Sequence, residues 1–241
     1  MNRKVGYIGL GNMGKGMAIN IAKGGFDLTV YDLNPEPTAE LRELGAKVAS
    51  SNREIGETCD LVEICVINDK QVEQVVFGTD EDEGVLAGAR PGSLLVVHST
   101  VHPETCQRVA AAAQQKGLDA IDAAVSGAEA GSVSGTLTLM VGGPAEHLET
   151  CRPVFEAVGA NIFHMGEVGR GQVAKLCNNL MSIVNLVTVE EGLRLAESAG
   201  IDEKQMVEIA SVSTGNSWAL RGYGPMRELL EKALGEKAAW P

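Results

Sequence analysis

The sequence predicts an α/β protein: a doubly wound parallel sheet followed by a shorter, all-helical segment. Three observations carry that expectation. Lys4 to Asp32 reads as strand, glycine turn, helix, strand. The alternation of short apolar runs with helical stretches then continues to about residue 165. Beyond it, strand patterning stops and good helix formers take over. Strands that alternate with helices pair in parallel, because each helix carries the chain back across the sheet.

The first unit is the most informative. Val5-Gly6-Tyr7-Ile8 runs into Gly9-Leu10-Gly11-Asn12-Met13-Gly14, and Leu28-Thr29-Val30-Tyr31 ends at Asp32. Gly9 permits a tight turn, Gly11 has no Cβ to block a pyrophosphate, and Gly14 lets the helix pack closely on its strand. Phosphates then sit against the free N–H groups and positive dipole end of that helix. Asp32 follows the last glycine at the spacing expected of a ribose-binding carboxylate, roughly 20 residues. This is the signature of a Rossmann-type dinucleotide site. A carboxylate at position 32 accepts hydrogen bonds from ribose hydroxyls and repels a 2′-phosphate, and Leu33-Asn34-Pro35 offers no cation to clamp one. NAD is therefore expected rather than NADP. Asn34 is expected to cap the helix that follows.

Composition narrows the class. With 241 residues, 44% hydrophobic and 22% charged, the chain reads as a soluble globular protein able to bury a sizeable core. A net charge of −12 without a basic run excludes nucleic acid and anionic membrane as natural partners. Five widely spaced cysteines (Cys59, Cys65, Cys106, Cys151 and Cys177) and four scattered histidines form no metal-ligand spacing. No metal is expected. The thiols read as small buried residues of a reducing, cytoplasmic compartment.

Along the rest of the first domain, residues 37–44 read as helix. Ser51-Asn52-Arg53-Glu54 has the form of a capping box, and Leu61 to Ile67 that of a buried parallel strand interrupted only by Glu63. Asn68 to Phe77 is expected as helix and Ser93 to His98 as strand; Pro103 opens an alanine-rich helix. Further strands are expected over 118–122, 137–141 and 161–164, with a helix over 144–158. The domain boundary falls between 165 and 166, giving a dinucleotide-binding domain of residues 1–165 and a helical segment of 166–241. From Gln172 to Ala199 there is no proline and one glycine, Gly192, so a continuous helix of about 42 Å is expected. Shorter helices are expected over 203–211 and 226–234.

That long helix carries the most suggestive polar pattern. Lys175, Asn178 or Asn179, Ser182 and Asn185 recur at three- and four-residue intervals, while Leu176, Leu180, Ile183, Val184 and Val187 make the remaining faces apolar. One cation among amides and a hydroxyl suits a ligand-facing stripe better than a solvent face. Desolvation would lower the lysine's pKa and make proton transfer near neutrality feasible. Asp122 to Gly131, a small-residue loop after a strand, allows backbone N–H groups and the Ser126 hydroxyl to approach an anion. Thr100, after His98-Ser99, either lines the nicotinamide pocket or caps the next helix.

The order of these motifs (Gly9 to Gly14, Ser99-Thr100, Asp122 to Gly131 with Gly135-Thr136-Leu137, and Gly169-x-Gly171-x-x-x-Lys175-x-x-Asn178-Asn179) resembles the β-hydroxyacid dehydrogenase family. The resemblance covers roughly residues 4–222. It implies a hydride-transferring oxidoreductase acting on a small anionic β-hydroxy acid of the 3-hydroxyisobutyrate kind. Lys175 would be its catalytic acid/base, with Ser126, Gly127 and Asn179 holding substrate. Gly9, Leu10, Gly11, Asn12, Met13, Gly14, Asp32 and Thr100 would line the NAD site. The sequence departs from the family at three places. Ala128 stands where a second glycine is usual, and His98 stands where an acidic residue precedes Ser-Thr. A Lys-Asp pair that closes over the nicotinamide in the family is missing before Pro241. That last departure motivates an alternative, an NAD-binding redox or interaction module without turnover. The apolar faces of the long helix further predict a homo-oligomer built on the helical segment.

Overall fold

The computed structural model describes residues 3–222. The chain divides into two compact units, 1–176 and 177–241. In the first, β1 (Val5–Ile8) runs into the glycine turn, α1 (Asn12–Lys23) follows, and β2 (Leu28–Tyr31) returns parallel to β1. Next come α2 (Thr38–Glu43) and a two-residue edge strand, β3 (Lys47–Val48), which the sequence pattern did not announce. Two residues are too few to show a period.

The chain then crosses to the other side of β1. There α3 (Asn52–Thr58), β4 (Leu61–Ile64), α4 (Asp69–Phe77), α5 (Val85–Gly88), β5 (Leu94–Val97), α6 (Pro103–Gln115) and β6 (Asp119–Ser126) follow in turn. The expected capping box at α3 forms in one half. Ser51 Oγ accepts from Glu54 N at 3.1 Å, but the Glu54 carboxylate accepts from Ser50 N at 2.7 Å, one residue before the cap. The domain is completed by α7 (Ala128–Ser134), β7 (Leu137–Gly142), α8 (Ala145–Val158) and β8 (Gly159–Gly166). The strand order is β3-β2-β1-β4-β5-β6-β7-β8. Because the order reverses between β1 and β4, the carboxyl ends of these two strands open a crevice, the position at which open α/β sheets bind ligands.

The sheet is not wholly parallel, which corrects the sequence-based expectation. β7 pairs antiparallel with β6, Asp122 opposite Gly142 and Ser126 opposite Thr138. The cause is length. Only residues 127–136 connect the two strands, and a parallel crossover needs roughly a dozen or more residues. Within this connection α7 docks on α1: Asn20 Nδ2 donates to Ser132 O at 2.8 Å, and Ser132 Oγ donates to Met13 O at 2.5 Å. A Cβ on Gly16 would stand 2.5 Å from Ser132 Oγ, so glycine is what permits the approach.

Alternate residues of the central strands feed two cores. Val5, Tyr7, Leu61, Leu94, Val96 and Ile121 belong to one, and Ile8, Val62, Ile64, Leu95 and Val97 to the other. That alternation is the pleat of strands covered on both faces.

α9 (Arg170–Ser198) is continuous across the boundary between the units, as its composition predicts. The second unit also holds α10 (Glu203–Ser211) and α11 (Trp218–Arg221). Its small core unites Val189, Leu193, Ala219 and Leu220 with Met206, Val207 and Ala210 around it. The helix expected over 226–234 lies outside the described residues. Among the described residues, no helix is long and apolar enough to cross a membrane.

Candidate active site

The glycine turn behaves as its spacing requires. Gly9 has φ +95°, and a Cβ there would stand 2.2 Å from Cys65 O. A Cβ on Gly14 would stand 1.9 Å from Gly9 O, so this residue seals helix to strand. Gly11 is different: nothing lies within 4 Å of where its Cβ would point, leaving open space beside the turn. No side chain caps α1, whose N-cap is Gly11 itself. A twelve-residue helix therefore presents unsatisfied N–H donors and its positive dipole end next to an unobstructed approach. These features fit the pyrophosphate of a dinucleotide.

The turn opens into a cleft of about 490 Å³ lined by Gly9, Leu10, Gly11, Asp32, Leu33, Ile67 and their neighbours. Asp32 is fixed at its rim: Oδ2 accepts from Leu10 N at 2.6 Å and Oδ1 from Asn34 N at 2.7 Å. Each oxygen keeps lone-pair capacity for a ribose hydroxyl. Leu33 and Ile67 are 86% and 81% exposed, large apolar side chains left in water beside the cleft. Such a pair suits a flat aromatic base. Sequence reasoning did not single out Leu33 and placed Ile67 at the end of a buried strand; β4 in fact ends at Ile64, and Ile67 lies beyond it in the cleft wall. The expected cap at Asn34 is not made. Asn34 Oδ1 accepts from Glu36 N at 3.1 Å in a local turn, and α2 begins only at Thr38. Pro35 and Pro37 delay the helix.

At the other end of the site, the first turn of α9 is held by a buried carboxylate. Asp122, fully buried on β6, accepts from Gly169 N at 2.5 Å through Oδ1 and from Gln172 N at 2.8 Å through Oδ2. Burial pushes its carboxyl up to about 6, against the opposing effect of these N–H donors. Gln172, also fully buried, passes the constraint on. Its Nε2 donates to Ser99 O at 2.9 Å and its Oε1 accepts from Val101 N at 3.1 Å. Ser99 Oγ in turn accepts from Val66 N at 2.8 Å. The strand ends bearing Val66 and Thr100 are thus tied to α9 three residues before Lys175. Gln172 escaped the sequence analysis because a lone glutamine in a helix carries no periodic signal.

Lys175 is half-buried, and desolvation lowers its pKa. Among the described residues no carboxylate forms an ion pair with it. Ser126 is half-buried at the carboxyl end of β6, and Gly127 follows in the left-handed region at φ +139°. The stretch after Ser126 is helix α7 rather than the loop expected from its glycines, because β6 extends four residues beyond Asp122 and the chain turns sharply at Gly127. Thr100 is exposed and does not cap α6, whose N-cap is His102 with Pro103 in the first turn. Asn179 lies four residues beyond Lys175 on α9 and belongs to the second unit.

His98, unusual in its place, has a buried partner. Its Nδ1 donates to Ala123 O at 2.7 Å, and its Nε2 faces the Glu63 carboxyl on the neighbouring strand β4. Tyr7 stacks on the imidazole with ring centroids 6.4 Å apart.

Comparison with known proteins agrees with this geometry. Residues 4–166 match the model of the NAD-binding domain of 6-phosphogluconate dehydrogenase. Residues 169–233 match that of the NAD-binding domain of NADP-dependent 3-hydroxyisobutyrate dehydrogenase. An NAD-dependent L-serine dehydrogenase of Pseudomonas aeruginosa is 41% identical over 96% of this chain and 76% of its own length. A 3-hydroxyisobutyrate dehydrogenase of the same organism is 40% identical over 95% and 76%. The solved 3-hydroxyisobutyrate dehydrogenase of Mycobacterium tuberculosis with L-serine superposes with a TM-score of 0.82 at 32% identity, covering 91% of this chain and 73% of that one. Nothing in these likenesses favours a non-catalytic module.

Ala128 is the one non-glycine residue at positive φ among the described residues, at +53°. The left-handed region costs a side-chain-bearing residue about 1–2 kcal/mol, and glycine gives back part of that through its freer unfolded chain. Ala128→Gly is expected to stabilise the protein by about 0.5–1 kcal/mol, read as a rise of about 2 °C in Tm. An unchanged or lowered Tm would show that the turn is relaxed with alanine.

Proposed function

The chain belongs to the β-hydroxyacid dehydrogenase family, and from that premise we propose that it transfers a hydride between NAD and a small β-hydroxy acid of the 3-hydroxyisobutyrate kind. Hydroxyacid oxidoreduction is the established chemistry of the family; the cofactor form, the substrate and the residue roles are the present reading. One observation carries it most directly: a half-buried lysine of lowered pKa, without an ion-pair partner among the described residues, on a helix whose first turn is fixed by Asp122 and Gln172. A lysine so placed exchanges protons rather than serving as a fixed charge.

The dinucleotide, when bound, supplies the hydride chemistry at its nicotinamide ring. The open N-terminus of α1 binds its pyrophosphate, Asp32 binds the adenosine ribose, and Thr100 lines the nicotinamide end. Ser126 and the backbone at Gly127 anchor the substrate carboxylate. Lys175 Nζ takes the substrate hydroxyl proton during oxidation and returns it to the carbonyl oxygen during reduction. Asn179, one turn further along α9, is assigned to the substrate hydroxyl on the family resemblance. The thiols of Cys59, Cys106 and Cys151, buried in the core, support a cytoplasmic, reducing setting.

Lys175→Met keeps the aliphatic stem and the helix propensity while deleting the amine. We expect kcat to fall by about 10²–10⁴-fold, with NADH affinity retained. In the wild type, oxidation requires the neutral amine. Its rate should therefore rise with pH in a step below the usual lysine range, and that step should vanish in the variant. A variant with near wild-type kcat would make Lys175 structural.

NADH should bind at least about tenfold more tightly than NADPH, since repulsion between Asp32 and a 2′-phosphate of about 1.4 kcal/mol already gives that factor. Asp32→Ala should narrow the gap; equal affinities in the wild type would sink the NAD assignment.

The helical segment also supports self-association. Leu180, Met181, Ile183 and Val184 are each more than half exposed on α9, a contiguous apolar surface of the kind that recruits a partner. Light scattering at micromolar concentration should show a dimer or larger assembly, and a stable soluble monomer would refute it.

A further inference from the structure

The cofactor cleft contains a second carboxylate that the dinucleotide motif does not include. Asp82 lines the same cleft as Asp32, from the turn that joins α4 to α5. That turn is closed on itself. Thr79 N donates to Asp82 O at 2.7 Å, Thr79 Oγ1 accepts from Asp82 N at 3.1 Å, and Gly78 pairs with Glu83 in an antiparallel bridge. A Cβ on Gly84 would stand 2.4 Å from Gly78 N, so the turn has no slack there.

The Asp82 side chain is held as well. Asn52, in the first turn of α3 and only 7% exposed, donates Nδ2 to Asp82 Oδ2 at 3.3 Å, while its Oδ1 is buried without a partner. Among the described residues this amide therefore has Asp82 as its side-chain hydrogen-bond partner, and it too lines the cleft. Among the described residues, no lysine or arginine lines the cleft. Arg53, the sequence neighbour of Asn52, is engaged in ion pairs with Glu57 at 2.7 Å and with Glu83. Both carboxylates raise the pKa of the Tyr31 hydroxyl, after burial, with Asp82 the stronger of the two. Their fields therefore meet at one part of the cleft wall.

We propose that Asp82, held by Asn52, is a second specificity-determining carboxylate that acts with Asp32 to reject a ribose 2′-phosphate. The proposal rests on the reading that this cleft receives the adenosine half of a dinucleotide. A phosphate monoester brings close to two negative charges, so a fixed carboxylate several ångströms away opposes it even in partly wet surroundings. Because the turn is closed and the side chain held, Asp82 cannot swing aside to admit that group. Donors are welcome in the same place, because the carboxylates of Asp32 and Asp82 accept hydrogen bonds from hydroxyl or amino groups.

The test is direct titration of NADH and NADPH into the full chain, for the wild type, Asp82→Asn, Asp32→Asn and the double variant. Asp82→Asn removes the charge and leaves an oxygen for Asn52; Asp82→Ser replaces it if melting curves show that the first variant fails to fold. Asp82→Asn is expected to tighten NADPH by about three- to tenfold while NADH changes by less than about twofold. The gain should add to that of Asp32→Asn and shrink at high salt. Unchanged NADPH affinity, or equal changes for both nucleotides, overturns the role of Asp82, and a persisting effect of Asp32→Asn would then show that the NAD reading survives alone. Equal wild-type affinities, or binding of neither nucleotide, overturn both.

Discussion

The arrangement of the site depends on one buried carboxylate. Asp122 stands inside the sheet on β6, where an ion is costly, and recovers stabilisation by accepting N–H groups from the first turn of α9. The two sides of this exchange are close to balance. Desolvation raises its pKa to about 6, yet the donors keep it ionised at neutral pH. An anion at a helix N-terminus is also favoured by the helix dipole. The interaction helps to fix where α9 begins. Lys175, one turn later, inherits that placement.

Small residues make the anchor possible. A Cβ on Gly171 would stand 2.2 Å from Met140 O, and one on Gly142 would stand 2.5 Å from Asp122 Oδ1. Gly169, at φ +93°, places its N–H on the carboxylate. The glycines around the start of α9 are therefore less a flexible linker than the surface against which the helix is seated. Gln172 extends the same logic sideways, satisfying Ser99 O and Val101 N in a region where water cannot. Strand ends that line the crevice are thereby hydrogen-bonded to the first turn of the helix that carries the lysine.

What was legible in the sequence follows from how locally each feature is encoded. The glycine turn and Asp32 could be read because strand, turn, helix and carboxylate are contiguous and their spacing is set by backbone geometry alone. The length of α9 could be read because it needs only the absence of breakers over many residues. The direction of β7 was not recognised from strand–helix alternation, although it follows from the shortness of the connection after Ser126. Asn52, Asp82 and Gln172 were invisible for another reason: each acts on a residue about 30 to 73 positions away, through contacts that exist only once the sheet has formed. His98 shows the same limit from the other side. Taken singly it is a departure from the family pattern; beside Glu63 it is half of a buried pair distributed over two strands.

Net charge of −12 would by itself repel both an anionic cofactor and an anionic substrate. The layout of the first unit shows how a local environment can oppose the global field. The pyrophosphate end of the cleft is built from uncapped backbone N–H groups of α1, which attract anions without adding a titratable charge. Lys175, near the start of α9, carries a charge that desolvation makes easier to give up. The wall that holds Asp32 and Asp82 does the opposite, with two carboxylates and, among the described residues, no lysine or arginine in the lining. Because charges separated by more than about 8–10 Å are screened at physiological salt, each end is read by the ligand group nearest to it rather than by the protein's total charge. The cleft thus brings uncapped backbone N–H donors at the glycine turn together with the carboxylates of Asp32 and Asp82, a pairing of environments that the total charge does not reveal.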